Sequence, residues 1–286
     1  MNLLTNSILV ELNISNWTAY KLDRQQSAKV VADNNATEMD AARVNKNLMA
    51  GSSLLKEITD YVARVRAWHL TQTLPWSEKG PRLLPMKHFF DYKQQLNTME
   101  NVFSTKKQTF LDAYPGLVTL AAFKLGGFFN RDEYPETHVV AKKFDFRYTF
   151  SPVPSAGHFI LDTHNEAVAE LSSKYQADYD RRVQEAMQDA WSRLHTTLTH
   201  IRSRMDPSPD ESKTKRYHES MLTNAHELCA LLTSFNVTND PKLEQARSQL
   251  ESALAGLRID DIKESEAVRQ DLRTKVDNIL ATHEWL

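Results

Sequence analysis

Apolar residues recur at three- and four-residue steps through most of the C-terminal half of the chain, which is the spacing of one apolar helix face. Between residues 165 and 205 these positions are Val168, Leu171, Tyr175, Tyr179, Val183, Met187, Trp191, Leu194, Leu198, Ile201 and Met205. The average step exceeds the 3.5 residues of a left-handed coiled coil, so the pattern predicts one nearly straight helix, about 60 Å long.

Two further helices meet at a joint defined by Asp240 and Pro241. Asp240 offers a carboxylate to the free amides of a first helical turn, and Pro241 at the first helical position has no amide left unpaired. The sequence predicts a helix that ends near Phe235 and later helices over residues 241–257 and 261–282. Together with the long helix they form an antiparallel bundle over residues 163–286.

The N-terminal half mixes helical spacing with two period-two patterns typical of strands. Apolar and polar residues alternate over residues 8–14 and again over residues 143–150. We expect these segments to pair in a small antiparallel sheet that leans on helices. The predicted helices cover residues 41–74, with a break near Gly51, then 86–114, ended by Pro115, and 117–125; residues 75–85 are predicted to form a surface connection.

The fold class predicted from these patterns is mainly α with some β structure (α+β). Residues 1–162 form a helical region with a small sheet, and residues 163–286 form the elongated bundle.

Composition adds few constraints on function. The 35 basic and 37 acidic side chains give a net charge of −2, so no overall field attracts nucleic acid or a membrane surface. Cys229 is the single cysteine, which fits a reducing compartment, and its apolar helical neighbours indicate a buried side chain rather than a reactive thiol. With no long apolar segment and no basic leader, the sequence predicts a cytoplasmic protein without membrane contact.

Motifs that carry chemistry are missing from the sequence. Gly126-Gly127 lacks the lysine and hydroxyl residue of a phosphate-binding loop, and no serine lies in a Gly-x-Ser-x-Gly turn. The densest set of metal-ligand types is His158, Asp162, His164 and Glu166, but helix capping by Asp162 or Thr163 explains most of it. We therefore expect no enzyme activity, no cofactor and no metal site.

Two features suggest nucleic acid. Lys213, Lys215 and Arg216 follow the long helix near its end, where they could meet phosphates, although a solvated helix end is the simpler interpretation. Phe144, Phe146 and Tyr148 lie on one strand next to Lys142, Lys143 and Arg147, which is typical of a base-stacking platform, but three aromatic residues on one strand face more often belong to a core.

Three segments resemble an uncharacterised family of phage-encoded proteins. They are LVELNISNWTAYKL (residues 9–22), EAMQDAWSRLHTTL (185–198) and LTNAHELCALLTSFNVTNDPKLE (222–244). In the first segment, Ala19, Tyr20 and the single Lys21 stand where the family tends to have a small residue and a basic pair. Members tend to be encoded near a MoxR-type AAA ATPase and a von Willebrand factor A protein, so the resemblance implies a part in such a remodelling system.

The function predicted from residues and resemblance together is a non-catalytic phage protein in the host cytoplasm. It acts through protein–protein interaction, as an adaptor or accessory subunit of the AAA ATPase and von Willebrand A system. Two alternatives stay open. One is a nucleic-acid-binding or nuclease-inhibiting phage protein, and the other is a structural component of the virion. The oligomeric state is left open.

Partner contacts are expected at the two ends of the chain, where apolar residues have no evident core partner. Trp17 and Lys21 follow the first strand, and Trp285 and Leu286 follow the last helix. The alternative interpretations are that Trp17 belongs to the core beside the sheet and that Trp285 folds back on its own helix.

Overall fold

The computed structural model describes residues 6–38, 40–154, 166–206 and 217–285. The fold is mainly α with a small amount of β structure, as predicted. The strands are β1 (Ser7–Ser15), β2 (Tyr20–Leu22), β3 (Asn45–Asn47), β4 (Arg82–Pro85) and β5 (Asp145–Pro152). The helices are α1 (Arg24–Asp33), α2 (Ser53–Gln72), α3 (Phe89–Leu125), α4 (Thr137–Ala141), α5 (Glu166–Met205), α6 (Glu219–Phe235), α7 (Pro241–Leu254), α8 (Ile259–Glu264) and α9 (Glu266–Thr282).

The main sheet has the strand order β4-β1-β5, so the predicted pairing of residues 8–14 with residues 143–150 is confirmed. β4 pairs antiparallel with β1 from Ser7↔Pro85 to Val10↔Arg82. The prediction of a surface connection over residues 75–85 is wrong for its last four residues, where Leu83 and Leu84 are fully buried. An edge strand can tolerate the flanking prolines, because a proline there does not interrupt a ladder on both sides.

A second, two-stranded sheet pairs β2 with β3. The prediction that helical structure begins at residue 41 is therefore wrong, because β3 lies in this segment and α2 begins only at Ser53. The backbone N–H of Leu48 donates to the carbonyl of Ala19, which holds the turn after β3 against the residue before β2.

The prediction that Pro115 ends a helix is also wrong, since α3 runs unbroken through it to Leu125. Local preference would end the helix at the proline. The helix continues because side chains before and after the proline are buried, namely Leu111, Tyr114 and Val118. Tyr114 also donates its hydroxyl proton to the carbonyl of Pro135 at 2.9 Å. As predicted, the chain leaves the helix at Gly126, which adopts the left-handed conformation.

The chain divides into two compact units that do not follow the predicted boundary at residues 162/163, which itself lies outside the described residues. The first, here called the bundle unit, comprises Met1–Glu11, Leu70–Phe90 and Thr149–Leu286. The second, here called the α3 unit, comprises Leu12–His69 and Asp91–Tyr148. Strands β1 and β5 and helices α2 and α3 therefore contribute residues to both.

The antiparallel bundle predicted for the C-terminal half is formed by α5, α6, α7 and α9. Arg202 on α5 pairs with Asp277 on α9, and Arg273 on α9 pairs with Asp206, the residue after the end of α5, so the two helices run in opposite directions. The fully buried core side chains include Leu194, Leu198, Ile201, Ala225, Leu232, Phe235, Ala246, Leu250, Leu254, Leu272 and Val276.

Bundle boundaries differ from the predictions in two places. α7 ends at Leu254 instead of residue 257, just before Gly256 in the left-handed conformation. The helix predicted over residues 261–282 is two helices that meet at Ser265, whose hydroxyl accepts the Val268 N–H at 3.3 Å. None of the helices that the structure describes is long and apolar enough to cross a membrane.

Candidate interaction surfaces

The joint between α6 and α7 follows the sequence prediction closely. The Asp240 carboxylate accepts the N–H of Lys242 at 2.9 Å, and Pro241 occupies the first turn. The Asn236 side chain bonds both the N–H and the carbonyl of Asp240, and the indole N–H of Trp191 donates to the second carboxylate oxygen at 3.0 Å. The joint is therefore fixed to α5 by polar contacts as well as by the core.

Arg193 on α5 binds the carboxyl end of α2. Its guanidinium donates to the carbonyls of Leu70, Thr71 and Thr73 at 2.9, 2.7 and 2.7 Å. These carbonyls lie where a helix has no amides left to satisfy them and where its dipole is negative, so a cation there is favourable. The guanidinium carbon also lies 5.2 Å from the Phe235 ring centroid, a cation–π contact.

A groove of about 500 Å³ opens beside this contact, between α5 and α6. Its apolar residues are Leu70, which is 49% exposed, and the half-buried Leu228 and Leu231. Its polar residues are Gln72, Ser192, Thr196, Thr197, Asn224 and Glu227. Apolar side chains surrounded by polar ones are typical of a surface that takes up part of another molecule.

The groove continues along the same two helices toward the start of α6. A second depression shares Thr196, Thr197 and Asn224 with the first and adds Met221 and the basic or titratable residues His200, Arg204 and His218. One end is thus apolar and the other carries positive charge. Sequence analysis missed this surface, because Arg193 and the carbonyls it binds are more than one hundred residues apart.

Trp285, predicted as a partner contact, folds back on the bundle. Its indole N–H donates to the carbonyl of Leu280 at 2.7 Å. Its ring lies 5.5 Å from Trp191 and 5.0 Å from His195, measured between centroids, and both are on α5. Trp285 is only partly buried by these contacts, and Leu286, its predicted companion, lies outside the described residues.

The other predicted pair lies in the α3 unit. Trp17 is 8% exposed and packs against the rings of Phe110 and Tyr114, so it offers little surface to a partner. Lys21 on β2 is half exposed and lies 3.9 Å from a carboxylate oxygen of Glu133. Of this pair, only Lys21 is placed where another molecule can reach it.

Neither the basic residues nor the two phenylalanines predicted to contact nucleic acid are found on the described surface. Lys213, Lys215 and Arg216 lie outside the described residues. Phe144 and Phe146 are buried, and both contact rings of α3, so they belong to the core and cannot stack on bases.

Chemically reactive groups are scarce in the described part of the chain. The Cys229 thiol is buried, and desolvation raises its pKa to about 11. Within the described ranges no three His, Cys, Asp or Glu side chains are grouped so that they could hold a metal ion. His158, Asp162 and His164 lie outside those ranges.

Comparison with known proteins identifies no relative, since no family model, curated protein or solved structure matches this chain.

Proposed function

We propose that this chain is a non-catalytic phage protein that binds another protein through the groove between α5 and α6. The observation that carries the proposal is an apolar surface in the groove, formed by Leu70, Leu228 and Leu231. Arg193 holds the end of α2 beside the groove with three hydrogen bonds.

The two ends of the groove suit a partner segment that carries both apolar and acidic side chains. An apolar side chain would enter beside Leu70, and an acidic side chain would lie toward Arg204. Such opposite charges across an interface favour encounter and orient the partner.

The partner we propose is a MoxR-type AAA ATPase or its von Willebrand factor A companion, with this chain as adaptor or accessory subunit. This part of the proposal is supported by the resemblance of residues 9–22, 185–198 and 222–244 to the phage-encoded family. Under this proposal, the protein acts in the cytoplasm of an infected cell.

The test is binding of the purified full-length chain to the ATPase and to the von Willebrand A protein encoded by the same genome. Leu70→Glu places a charge in the apolar end of the groove, and we expect it to weaken binding by about tenfold or more. The matched control is Leu171→Glu, since Leu171 is also a half-exposed leucine of the bundle unit but is not a groove residue. Equal binding of Leu70→Glu and wild type would reject the groove, and no binding of either protein would reject the proposed partners.

A further inference from the structure

A cavity of about 350 Å³ lies where the start of β1 and the end of β4 meet the joint after α6. Its walls come from residues 6–7, from residues 85–87 and from residues between 233 and 239. All of these residues belong to the bundle unit, and none of them lines the groove between α5 and α6. Binding cavities range from roughly 300 to 1,000 Å³, so the size of this one suits a small ligand or the end of a chain.

Two serines of this cavity have buried hydroxyl oxygens without a hydrogen-bond partner among the described residues. Ser7 is the first residue of β1, is 5% exposed and lies on the same face of the strand as the core residue Leu9. Ser234 lies in the last turn of α6. In the same helix, the hydroxyls of Thr223 and Thr233 both donate to carbonyls four residues earlier.

A buried hydroxyl that lacks a partner lowers stability, so these two serines call for an explanation. Rotation about the Cα–Cβ bond moves a serine hydroxyl between three staggered positions. Each hydroxyl can therefore turn toward the cavity that its residue lines and bind a group placed there.

The charges around the cavity favour an anionic group on the strand side. Of the described residues that line it, only Lys87 is charged, and Lys87 is exposed. Asp240 follows the last of the lining residues, but its carboxylate binds an amide in the first turn of α7 and an indole on α5. The carboxyl end of α6 carries partial negative charge, so that side of the cavity favours a hydrogen-bond donor. A carboxylate therefore belongs beside Lys87 and Ser7, and an N–H group belongs beside Ser234.

The cavity also offers apolar surface. Pro85, Met86 and Val237 line it, Met86 is 40% exposed, and Val237 is partly buried. A ligand that fits all of these walls has a carboxylate, an adjacent N–H group and an apolar side chain. The last residue of a polypeptide combines these three groups.

We propose that this cavity binds the carboxyl-terminal residue of another polypeptide, one with an apolar side chain. Its carboxylate accepts hydrogen bonds from Lys87 and Ser7, its N–H donates to the hydroxyl oxygen of Ser234, and its side chain packs on Met86. Capture of a chain end through its carboxylate is a recurring mode of peptide recognition. The inference is independent of the proposed function, since the cavity and the groove share no residue.

Isothermal titration calorimetry with the full-length chain tests this inference. The probe is a six-residue peptide that ends in leucine with a free carboxylate, and the matched ligand is the same peptide with an amidated end. We expect the free acid to bind about tenfold or more tightly than the amide, because charge-assisted hydrogen bonds are the stronger ones. Titration extends to about 5 mM, since a single residue binds weakly. Equal affinity of the two peptides, or no binding of either, would overturn the inference.

Acetyl-leucine distinguishes a chain end from a small organic acid of the same chemistry. It should bind more weakly than the peptide, because earlier peptide residues also contact the exposed lining residues Asn6 and Asn239. Equal or tighter binding of acetyl-leucine would overturn the choice of a polypeptide.

Variants locate the ligand in this cavity. Lys87→Gln should weaken binding of the free acid about tenfold. The control Lys79→Gln should leave it unchanged, since Lys79 is an exposed lysine of the same unit that does not line the cavity. Equal effects of these two variants would contradict the proposed site.

Ser7→Ala separates a hydroxyl that binds a ligand from one that supports the fold. It should weaken binding about threefold or more, while the melting temperature of the free protein stays the same or rises, because the hydroxyl has no partner there. A lower melting temperature, or binding like that of wild type, would overturn the inference.

Discussion

Arg193 should contribute measurably to the stability of the bundle unit, because it joins α5 to the end of α2. Its side chain is 20% exposed, pairs with Asp189 at 2.8 Å and donates to three carbonyls at the end of α2. We predict that Arg193→Met, which keeps the apolar stem but removes the charge and its donors, lowers the stability of the bundle unit substantially.

The magnitude follows from the hydrogen bonds. A hydrogen bond that involves a charged group contributes about 1.5–3 kcal/mol, but partly exposed carbonyls recover water when the donor is lost. Removing all three bonds should therefore lower the free energy of unfolding by about 2–4 kcal/mol, which is less than their simple sum. Arg193→Lys should recover less than half of this loss, because one ammonium cannot reproduce the fork that spans the three carbonyls.

Urea denaturation measures the effect, with tryptophan fluorescence as the signal, since Trp76, Trp191 and Trp285 all lie in the bundle unit. The control is Arg181→Met on the same helix. Arg181 is more than half exposed, and among the described residues it bonds only to Asp178 and Glu185 of its own helix, so its loss should leave the urea midpoint nearly unchanged. A decrease in the free energy of unfolding below about 1 kcal/mol for Arg193→Met would refute the view that this contact stabilises the end of α2 within the bundle unit.

Three further predictions concern single groups of the bundle unit. Trp285→Ala should lower thermal stability, as measured by calorimetry, because its ring packs on Trp191 and His195; an unchanged melting temperature would show that these contacts contribute nothing. The Cys229 thiol should resist maleimide at pH 8 in the native protein and react in urea, because burial raises its pKa to about 11; fast native labelling would contradict this. Desolvation lowers the pKa of His283 below the 6.5 of an exposed histidine, so the unfolded chain binds the proton more readily and stability should fall as pH drops below about 6.5. His283→Gln should flatten that part of the stability profile, and an identical profile in the variant would assign the effect elsewhere.

The elements that the sequence predicted correctly are those specified by neighbouring residues. The spacing along α5, the cap at Asp240 and the alternation in β1 each depend on residues a few positions apart. Local preference is sufficient there, because it agrees with the packing that the whole fold imposes.

The predictions failed where distant residues decide the conformation. β4 carries two adjacent buried leucines, Leu83 and Leu84, without alternation, and it is a strand because β1 and Leu74 provide its hydrogen-bonding partners. α3 passes through Pro115 because buried residues on both sides hold it. The end of α2 and Arg193 are brought together by the fold alone, so no local signal could have indicated the groove beside them.

The most direct test of the central claim, that the groove between α5 and α6 binds a partner protein, is photo-cross-linking in infected cells. Benzoylphenylalanine replaces Leu70 in one variant and Leu171 in the other, and adducts are identified by mass spectrometry. The account predicts that position 70 yields a covalent adduct with the AAA ATPase or the von Willebrand A protein and that position 171 does not. Equal adducts at both positions, or adducts at position 70 only with nucleic acid or virion proteins, would contradict it.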